Sequence, residues 1–234
     1  MSKKVAKQPT KQAAKQHQEV NVQGALSKSE EFFAKYKNQI VYCVISVIVI
    51  IGLGYAYQKF YREPKKEEAM GQMFLAEQAF RNDQFEIALN GDGNILGFIQ
   101  VLEDYGMLSG KAIHLYIGIC YLQLGENHDA IKALLKYRGK DFVTRARSYC
   151  CVGDAYANLG DLTKALEYYL KAANYHDNIL AATYLKKAAI ICEELGSFDS
   201  AIKYYQEIKD KYSQMPEAYE ADKYISRLRM VMQK

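Results

Sequence analysis

The sequence predicts an all-α protein in which one transmembrane helix precedes a solenoid of stacked helix pairs. Two observations lead to this prediction. Residues 40–57 contain no charged side chain, and the segment that follows repeats its glycine, alanine and tyrosine positions every 35 or 36 residues. The chain has 234 residues, half of them hydrophobic, which is enough to bury a core around such repeats.

Charge is distributed unevenly along the chain, and this distribution excludes one class of function. Residues 1–37 contain eight Lys and three Glu, whereas residues 58–234 contain 23 basic and 24 acidic side chains. A near-neutral main segment does not support nucleic-acid binding, which requires a concentrated basic face. Residues 1–37 are rich in Lys, Gln and Ala with little to bury, so we expect a basic, disordered tail.

The uncharged run at residues 40–57 is the expected membrane contact of an anchor over residues 38–60. As a helix the run is about 27 Å long, close to the ~30 Å hydrocarbon core of a bilayer. A buried core helix or strand is the alternative, but the length and the absence of charge favour a membrane span. A cleaved signal peptide fits less well because no small-residue cleavage site follows the run.

Basic residues on the two sides of the run set the expected orientation. The short tail carries eight Lys, and the other flank carries Lys59, Arg62, Lys65 and Lys66. A short tail counts fully in the positive-inside rule, whereas a long domain contributes weakly. We therefore expect a cytoplasmic N-terminus, with residues 58–234 on the far side of the membrane.

An internal repeat predicts three helix pairs over residues 111–216. Glycine, tyrosine and alanine positions recur from unit to unit: Gly118, Tyr121, Gly125 and Ala130, then Gly153, Tyr156, Gly160 and Ala165, then Gly196, Ala201 and Tyr205. Small residues permit close helix crossing, and Gly125, Gly160 and Gly196 lie where a first helix must end. Asp161 and Ser197 follow as the predicted N-caps of second helices.

The segments on either side of the three pairs extend the helical array. Residues 66–110 are interpreted as a degenerate first repeat into which the turn sequence NGDGN is inserted. Asp92 and Asn94 in this turn lack the closing Glu of a twelve-residue calcium loop, so we expect a turn and no calcium site. Residues 217–234 are expected to form a C-terminal helix that caps the open end of the solenoid.

The sequence contains no motif that carries catalysis or binds a cofactor. It lacks a nucleophile elbow, a phosphate loop, a dinucleotide fingerprint and a zinc-protease motif. Its five Cys include no Cys-x-x-Cys pair, and those in the repeats are expected to be buried, inert thiols: Cys120, Cys150, Cys151 and Cys192. We therefore expect no enzyme activity, no cofactor, no metal site and no small-molecule substrate.

The repeats resemble the tetratricopeptide repeat, whose unit of about 34 residues carries the small, aromatic, glycine and alanine positions described above. The resemblance implies a solenoid whose first helices line a concave groove for protein partners. In that register the candidate groove residues are Leu115, Ile119, Leu122, Arg147, Asp154, Asn158, Lys186 and Ile190. Packing between helices is the alternative role of the apolar members. In co-chaperones of this family the groove resembles a carboxylate clamp with Lys and Asn at the positions of Leu115 and Ile119, which argues against capture of an acidic C-terminal peptide.

The tail, the anchor and the repeats, together with the stretches LAEQAF, FEIALNGDGNILGFIQVLEDYG and HLYIGICYLQLG, resemble the YfgM-like family of bacterial inner-membrane proteins. The resemblance implies a single-pass protein with a cytoplasmic N-terminus and a periplasmic repeat domain. It also implies an ancillary role at the SecYEG translocon, with translocon subunits and client polypeptides or chaperones as partners. A structural scaffold for a cell-envelope complex, in division or outer-membrane assembly, is the alternative function.

Overall fold

The computed structural model describes residues 11–176 and 180–233, with side chains from residue 34 onwards. Within these residues the regular structure is helical, and extended backbone pairs at a single isolated bridge, Gly91 with Leu96. The all-α prediction is confirmed. The helices are α1 (Lys11–Tyr57), α2 (Glu63–Arg81), α3 (Phe85–Asn90), α4 (Phe98–Tyr105), α5 (Ile113–Gln123), α6 (Asn127–Lys136), α7 (Phe142–Asn158), α8 (Leu162–Ala173), α9 (Ala181–Glu194), α10 (Phe198–Lys211) and α11 (Pro216–Met232), with a π-helix at Gln58–Arg62 and a 3₁₀ turn at Gly106–Ser109.

The chain divides into two compact units, and the first of them, Met1–Arg62, contains the predicted anchor. An 18-residue window with a mean hydropathy of 2.3 lies in the helical stretch Ala34–Arg81, and none of this window is buried inside the protein. Its length and composition are sufficient for a helix that crosses a bilayer. The predicted anchor therefore coincides with a candidate membrane span.

The backbone of the N-terminal tail differs from the expected disorder. It is helical from Lys11, so residues 11–37 continue the helix of the apolar run towards the N-terminus. Lys, Gln and Ala are strong helix formers, and the adjoining apolar helix supplies the nucleus that a free peptide of this composition would lack. The first ten residues of the expected tail lie outside the described residues.

Three consecutive helix pairs, α5/α6, α7/α8 and α9/α10, occupy the predicted repeats. The glycine after each first helix has a positive φ: 82° at Gly125, 78° at Gly160 and 69° at Gly196. The residue after each glycine donates its N–H to a carbonyl five positions earlier, as Asp161 does to Tyr156 at 3.0 Å. This bond satisfies a carbonyl at the helix end and turns the chain into the second helix. The predicted role of these glycines is confirmed.

Two further glycines allow the helices of a pair to approach closely. A Cβ atom at Gly118 of α5 would lie 2.5 Å from Cγ of Leu134 in α6. A Cβ atom at Gly153 of α7 would lie 2.6 Å from the ring of Tyr169 in α8. Because the side chains at a crossing set the distance between helices, both pairs depend on the missing Cβ. The predicted role of small residues at these crossings is confirmed.

The capping residues agree with the prediction in part. Asp161 accepts the backbone N–H of Lys164 at 3.1 Å and is the N-cap of α8. Ser197 lies at the N-cap position of α10, but its side chain makes no capping hydrogen bond. Asp141, which the sequence analysis did not single out, caps α7 by accepting the backbone N–H of Thr144 at 2.6 Å.

The second unit, Glu63–Lys234, is organised around three clusters of buried side chains. The first joins α2 through α6 and includes Phe98. The second joins α5, α6 and α7 and includes Leu134 and Val152. The third joins α7 through α11 and includes Tyr169 and Tyr205. The final helix, α11, buries one side against this third cluster through Ala218, Ala221, Ile225 and Leu228.

The inserted sequence NGDGN forms a turn between α3 and α4. The Asp92 carboxylate accepts the backbone N–H of Ile95 at 3.0 Å and that of Asn94 at 2.9 Å. These bonds lower the pKa of Asp92. A Cβ atom at Gly97 would lie 2.4 Å from the carbonyl oxygen of Leu89, so the return of the chain requires glycine there. The expected turn is confirmed.

Candidate protein-interaction face

The first helices α7 and α9 carry five of the residues that the sequence predicts for a groove. Arg147, Asn158 and Ile190 are exposed, and Asp154 and Lys186 are half-buried. On α7, positions 147, 154 and 158 recur at helical spacing and share one side of the helix. We call these five residues the first-helix face.

The three apolar groove candidates lie on α5, where they contact the core. Leu115 is 7% exposed and packs in the cluster that includes Leu134 and Val152. Ile119 and Leu122 are half-buried beside the same cluster. Leu115 therefore has the packing role that was the alternative for the apolar candidates, since its side chain fills the space between α5, α6 and α7. The register of the repeat locates a helix position but does not decide how deeply that position is buried.

Asp154 connects α7 to the two helices that follow it. Its Oδ1 accepts a hydrogen bond from the hydroxyl of Tyr169 on α8 at 2.7 Å and another from Nζ of Lys187 on α9 at 2.5 Å. The ammonium of Lys187 also lies 5.5 Å from the centre of the Tyr169 ring. Burial and the Asp154 carboxylate raise the pKa of Tyr169, so its hydroxyl remains a donor. We call Tyr169, Asp154 and Lys187 the first bridging triad.

An equivalent arrangement recurs in the next repeat. Glu193 on α9 accepts a hydrogen bond from the hydroxyl of Tyr205 on α10 at 2.8 Å and another from the guanidinium of Arg227 on α11. Tyr205 holds the same repeat position as Tyr169, 36 residues later. In both cases a tyrosine of the second helix and a cation of the next first helix meet at one carboxylate. We call Tyr205, Glu193 and Arg227 the second bridging triad.

Other members of the first-helix face also have partners within the chain. Nζ of Lys186 lies 2.6 Å from the Glu220 carboxylate on α11, and the Asn158 amide donates to Asn127 at 3.0 Å. Within the described part of the chain, Arg147 makes no ion pair, and Ile190 is 41% exposed. A partner that reaches this face would thus meet the cation of Arg147 and the apolar side chain of Ile190 without displacing an internal bond.

The surroundings of the thiols in the repeats raise their pKa values. Burial raises the pKa of Cys120 to about 12. Burial and the charge of Asp154 raise the pKa of Cys150 to about 12 and that of Cys151 to about 11. Thiolate is the reactive form, so these thiols are poor nucleophiles near neutral pH, as expected from the sequence. Among the described residues, no group of three or more His, Cys, Asp or Glu is arranged to hold a metal ion.

A cluster of tyrosines and lysines between α7 and α8 was missed by the sequence analysis. The rings of Tyr156 and Tyr168 are stacked with their centres 5.5 Å apart, and Tyr149 lies 6.5 Å from Tyr168. Nζ of Lys171 lies 4.5 Å from the ring centre of Tyr149, and that of Lys164 lies 5.1 Å from the centre of Tyr156. The seven-residue spacing of the two α7 tyrosines was the available signal.

A family model supports the repeat assignment. Residues 144–213 match the family model of the tetratricopeptide repeat. Tetratricopeptide repeat protein 37 of Xenopus laevis is 30% identical over 94 residues, which are 39% of this chain and 6% of that protein. A solved structure described as the crystal structure of MamA is 21% identical, with a TM-score of 0.49, and the alignment covers 68% of this chain and 94% of that one. Residues 144–213 run from the first turn of α7 to the end of α10 and include all five residues of the first-helix face, and repeats of this kind point to a protein–protein interaction module.

Proposed function

We propose that this protein is a membrane-anchored adaptor whose first-helix face binds other proteins. The observation that carries the proposal is the match of residues 144–213 to the tetratricopeptide repeat, together with the exposure of Arg147 and Ile190 on the first helices of those repeats. The candidate membrane span would tether the repeats to a bilayer. Tethering raises the effective concentration of a binding site, so a weak face would be sufficient.

The first test changes Arg147 and Ile190, the two residues of the first-helix face whose side chains make no hydrogen bond or ion pair within the described part of the chain. Arg147→Glu combined with Ile190→Glu should reduce crosslinking of partner proteins to the full chain in native membranes, measured by quantitative mass spectrometry. Lys132→Glu with Leu135→Glu on α6 is the matched control, because it makes the same charge changes on exposed residues of a second helix. Equal crosslinking in both variants would reject the face as the binding surface.

At the finer level, we infer that the anchored protein acts beside a protein translocon, as an ancillary subunit that handles extracytoplasmic clients or their chaperones. The order of basic tail, apolar helix and repeats supports this inference. The test is co-purification in mild detergent with translocon subunits quantified, against a variant in which residues 40–57 are replaced by an unrelated membrane span. Loss of enrichment in the variant would support association through the native anchor.

A scaffold in a cell-envelope complex is the second candidate function. It is favoured by the internal bonds of the first-helix face, because Asp154, Asn158 and Lys186 are already paired within the chain. In that case partners would contact the convex face and the anchor, so the Arg147 and Ile190 variant would bind normally.

A further inference from the structure

The side of α2 that faces away from the first cluster has an apolar centre and opposite charges at its two ends. Six exposed residues recur on this side at helical spacing: Glu67, Met70, Gly71, Phe74, Gln78 and Arg81. We call these six residues the outer stripe. Met73, Ala76 and Ala79 on the other side of the helix are buried in the first cluster. Met70 and Phe74 are 58% and 50% exposed, although a helix at the edge of a repeat array normally presents a polar outer face, so these side chains indicate a contact surface.

The two charged residues of the outer stripe are available to a partner. Glu67 lies in the second turn of α2 and makes no ion pair within the described part of the chain. Arg81 is the last residue of α2, and its guanidinium lies 3.5 Å from the carboxylate of Glu77, one turn earlier. The Arg81 side chain is 67% exposed, and an ion pair of this kind contributes little, so Arg81 can exchange it for another carboxylate.

The charged residues that flank the outer stripe lie on other sides of α2. Desolvation and the carboxylate of Glu68 raise the pKa of Tyr105, so Glu68 faces α4. Lys66 and Lys111 line a depression of about 420 Å³ between α2 and the turn that precedes α5, together with Glu77, and this depression borders the apolar part of the stripe. The stripe itself therefore carries a negative charge near its N-terminal end and a positive charge at its C-terminal end.

We propose that the outer stripe pairs with the same stripe of a second copy of this chain, with the two α2 helices antiparallel. Phe74 of one copy meets Phe74 of the other at the centre of the pair. Glu67 precedes Phe74 by seven residues and Arg81 follows it by seven, so Glu67 of each copy lies opposite Arg81 of the other. A two-fold pair requires a surface that is complementary to itself, and the outer stripe is complementary to itself only in the antiparallel direction. Parallel helices would oppose like charges at both ends.

The antiparallel arrangement also accommodates the rest of the two helices. Gln78 lies opposite Met70, and Glu77 lies opposite the glycine of the other copy. No atom lies within 4 Å of the Cβ position of Gly71, so a second helix can approach the backbone there. Lys66 and the residues before it extend past the last residue of the opposing α2. The apolar contact is small, so we expect weak association in which the charges set the orientation.

The first experiment reverses the charges at the two ends of the stripe. Two differently tagged copies of the full chain are co-expressed and extracted in mild detergent, and the recovery of one copy with the other is measured. Glu67→Arg in both copies, or Arg81→Glu in both, should weaken association by roughly tenfold, because both contacts of the pair change from attraction to repulsion. Glu67→Arg in one copy with Arg81→Glu in the other should restore recovery, because both contacts again join opposite charges. Asp199→Arg and Lys203→Glu on α10 are the matched controls, since they reverse exposed charges and should leave recovery unchanged.

The second experiment tests the arrangement in native membranes. A photo-crosslinking amino acid at Gln78 of the full chain should join two copies, and the adduct should lie on the α2 peptide that contains Met70. The control is the same amino acid at Tyr219, which is 76% exposed on α11 and should give no dimer.

Several results would overturn the proposal. If the single charge reversals left recovery unchanged, association would use another surface. The proposal would also be wrong if the mixed variants failed to restore recovery, if position 78 crosslinked to a different protein, or if it joined two copies only after extraction into detergent. None of these variants changes the first-helix face, so loss of pairing leaves the adaptor function standing, and failure of the Arg147 and Ile190 test leaves the pairing standing.

Discussion

Neighbouring first helices contact each other in two ways. The contact between α5 and α7 is apolar, and we call it the apolar junction. The contacts between α7, α9 and α11 are polar, and we call them the polar junction. At equivalent repeat positions, α5/α6 carry Ile119 and Leu134, whereas α7/α8 carry Asp154 and Tyr169. The first set contacts a buried apolar cluster, and the second forms hydrogen bonds that continue to Lys187. One fold therefore accepts an apolar or a charged contact between neighbouring first helices.

The two kinds of junction contribute differently to the stability of the protein and to the alignment of neighbouring repeats. Burial of apolar side chains is the main favourable contribution to folding, whereas a partly exposed ion pair contributes little net free energy. A carboxylate that must meet a tyrosine and a cation nevertheless restricts how adjacent repeats align, because its hydrogen bonds are directional. We expect the free energy of unfolding to depend mainly on the apolar junction, and the alignment of α7, α9 and α11 to depend on the bridging triads.

The largest expected effect follows from truncating a buried side chain at the apolar junction. Leu134→Ala should lower the free energy of unfolding of the full chain in mild detergent by about 2–5 kcal/mol, because the 1% exposed side chain leaves a cavity. Leu135→Ala on the same helix is the control, since Leu135 is 36% exposed. Denaturant unfolding followed by circular dichroism measures both, and a similar loss for the two variants would contradict the assignment of Leu134 to the junction.

The glycines at the crossings should respond next most strongly. Gly153→Ala should destabilise the protein by about 1–3 kcal/mol, because the added Cβ would overlap the Tyr169 ring. Gly118→Ala should cost a similar amount, since its Cβ would lie 2.5 Å from Cγ and 3.1 Å from the backbone nitrogen of Leu134. Gly71→Ala on α2 is the control: no atom lies within 4 Å of its Cβ position, so the better helix former should stabilise the protein by up to about 1 kcal/mol. Destabilisation by all three would point to a general effect of alanine.

Alkaline pH should destabilise the protein through two buried thiols, Cys120 in the first cluster and Cys150 in the third. The pKa of Cys120 and that of Cys150 are raised to about 12, so the neutral thiol is favoured in the folded state. Their contribution is fully present below pH about 9 and is lost as pH rises from there towards 12, by about 1.4 kcal/mol per pH unit for each thiol. Cys120→Ala should therefore lose less stability than the wild type between pH 8 and pH 10. An unchanged slope would exclude Cys120 as a contributor.

The sequence was sufficient to predict the features that depend on local backbone geometry. The positive φ values of Gly125, Gly160 and Gly196 follow from residue type and spacing, because an L side chain is disfavoured there. The close crossings at Gly118 and Gly153 follow from the same repeat. Each of these predictions concerns what one residue does within its own helix pair.

Features that depend on the relation between helix pairs were not predicted. The hydrogen bond between Asp154 and Lys187, 33 residues away, was not predicted, because the sequence does not state the rotation of one pair against the next. For Leu115 a groove and packing between helices were both left open, because its burial depends on how closely α7 approaches α5. The helical tail from Lys11 was also missed, because an adjoining helix changes the outcome for residues that would be disordered alone.

The tyrosine hydroxyls of the bridging triads should have a smaller effect than the apolar contacts. Tyr169→Phe and Tyr205→Phe should each lower the free energy of unfolding by about 0.5–1.5 kcal/mol, since each removes one hydrogen bond to a carboxylate and keeps the ring. Tyr168→Phe is the matched control, because the Tyr168 hydroxyl makes no hydrogen bond within the described part of the chain. If the control lost as much stability as the triad variants, the hydroxyl bonds would not explain the effect.

The smallest expected effect is the coupling of the ion pair in the first bridging triad. A double-mutant cycle with Lys187→Met and Asp154→Asn should give about 0.2–1 kcal/mol, because the side chains are 37% and 26% exposed and water screens their attraction. The same cycle at Lys132 and Asp129 should give less, since those side chains are 72% and 48% exposed. Alignment is read separately, by hydrogen exchange along α9, where loss of the triad should increase exchange more than the stability change alone requires. A coupling free energy of several kcal/mol would instead show that the polar junction stabilises the protein as strongly as the apolar one. The conclusion that the polar junction mainly sets the alignment of the repeats would then be wrong.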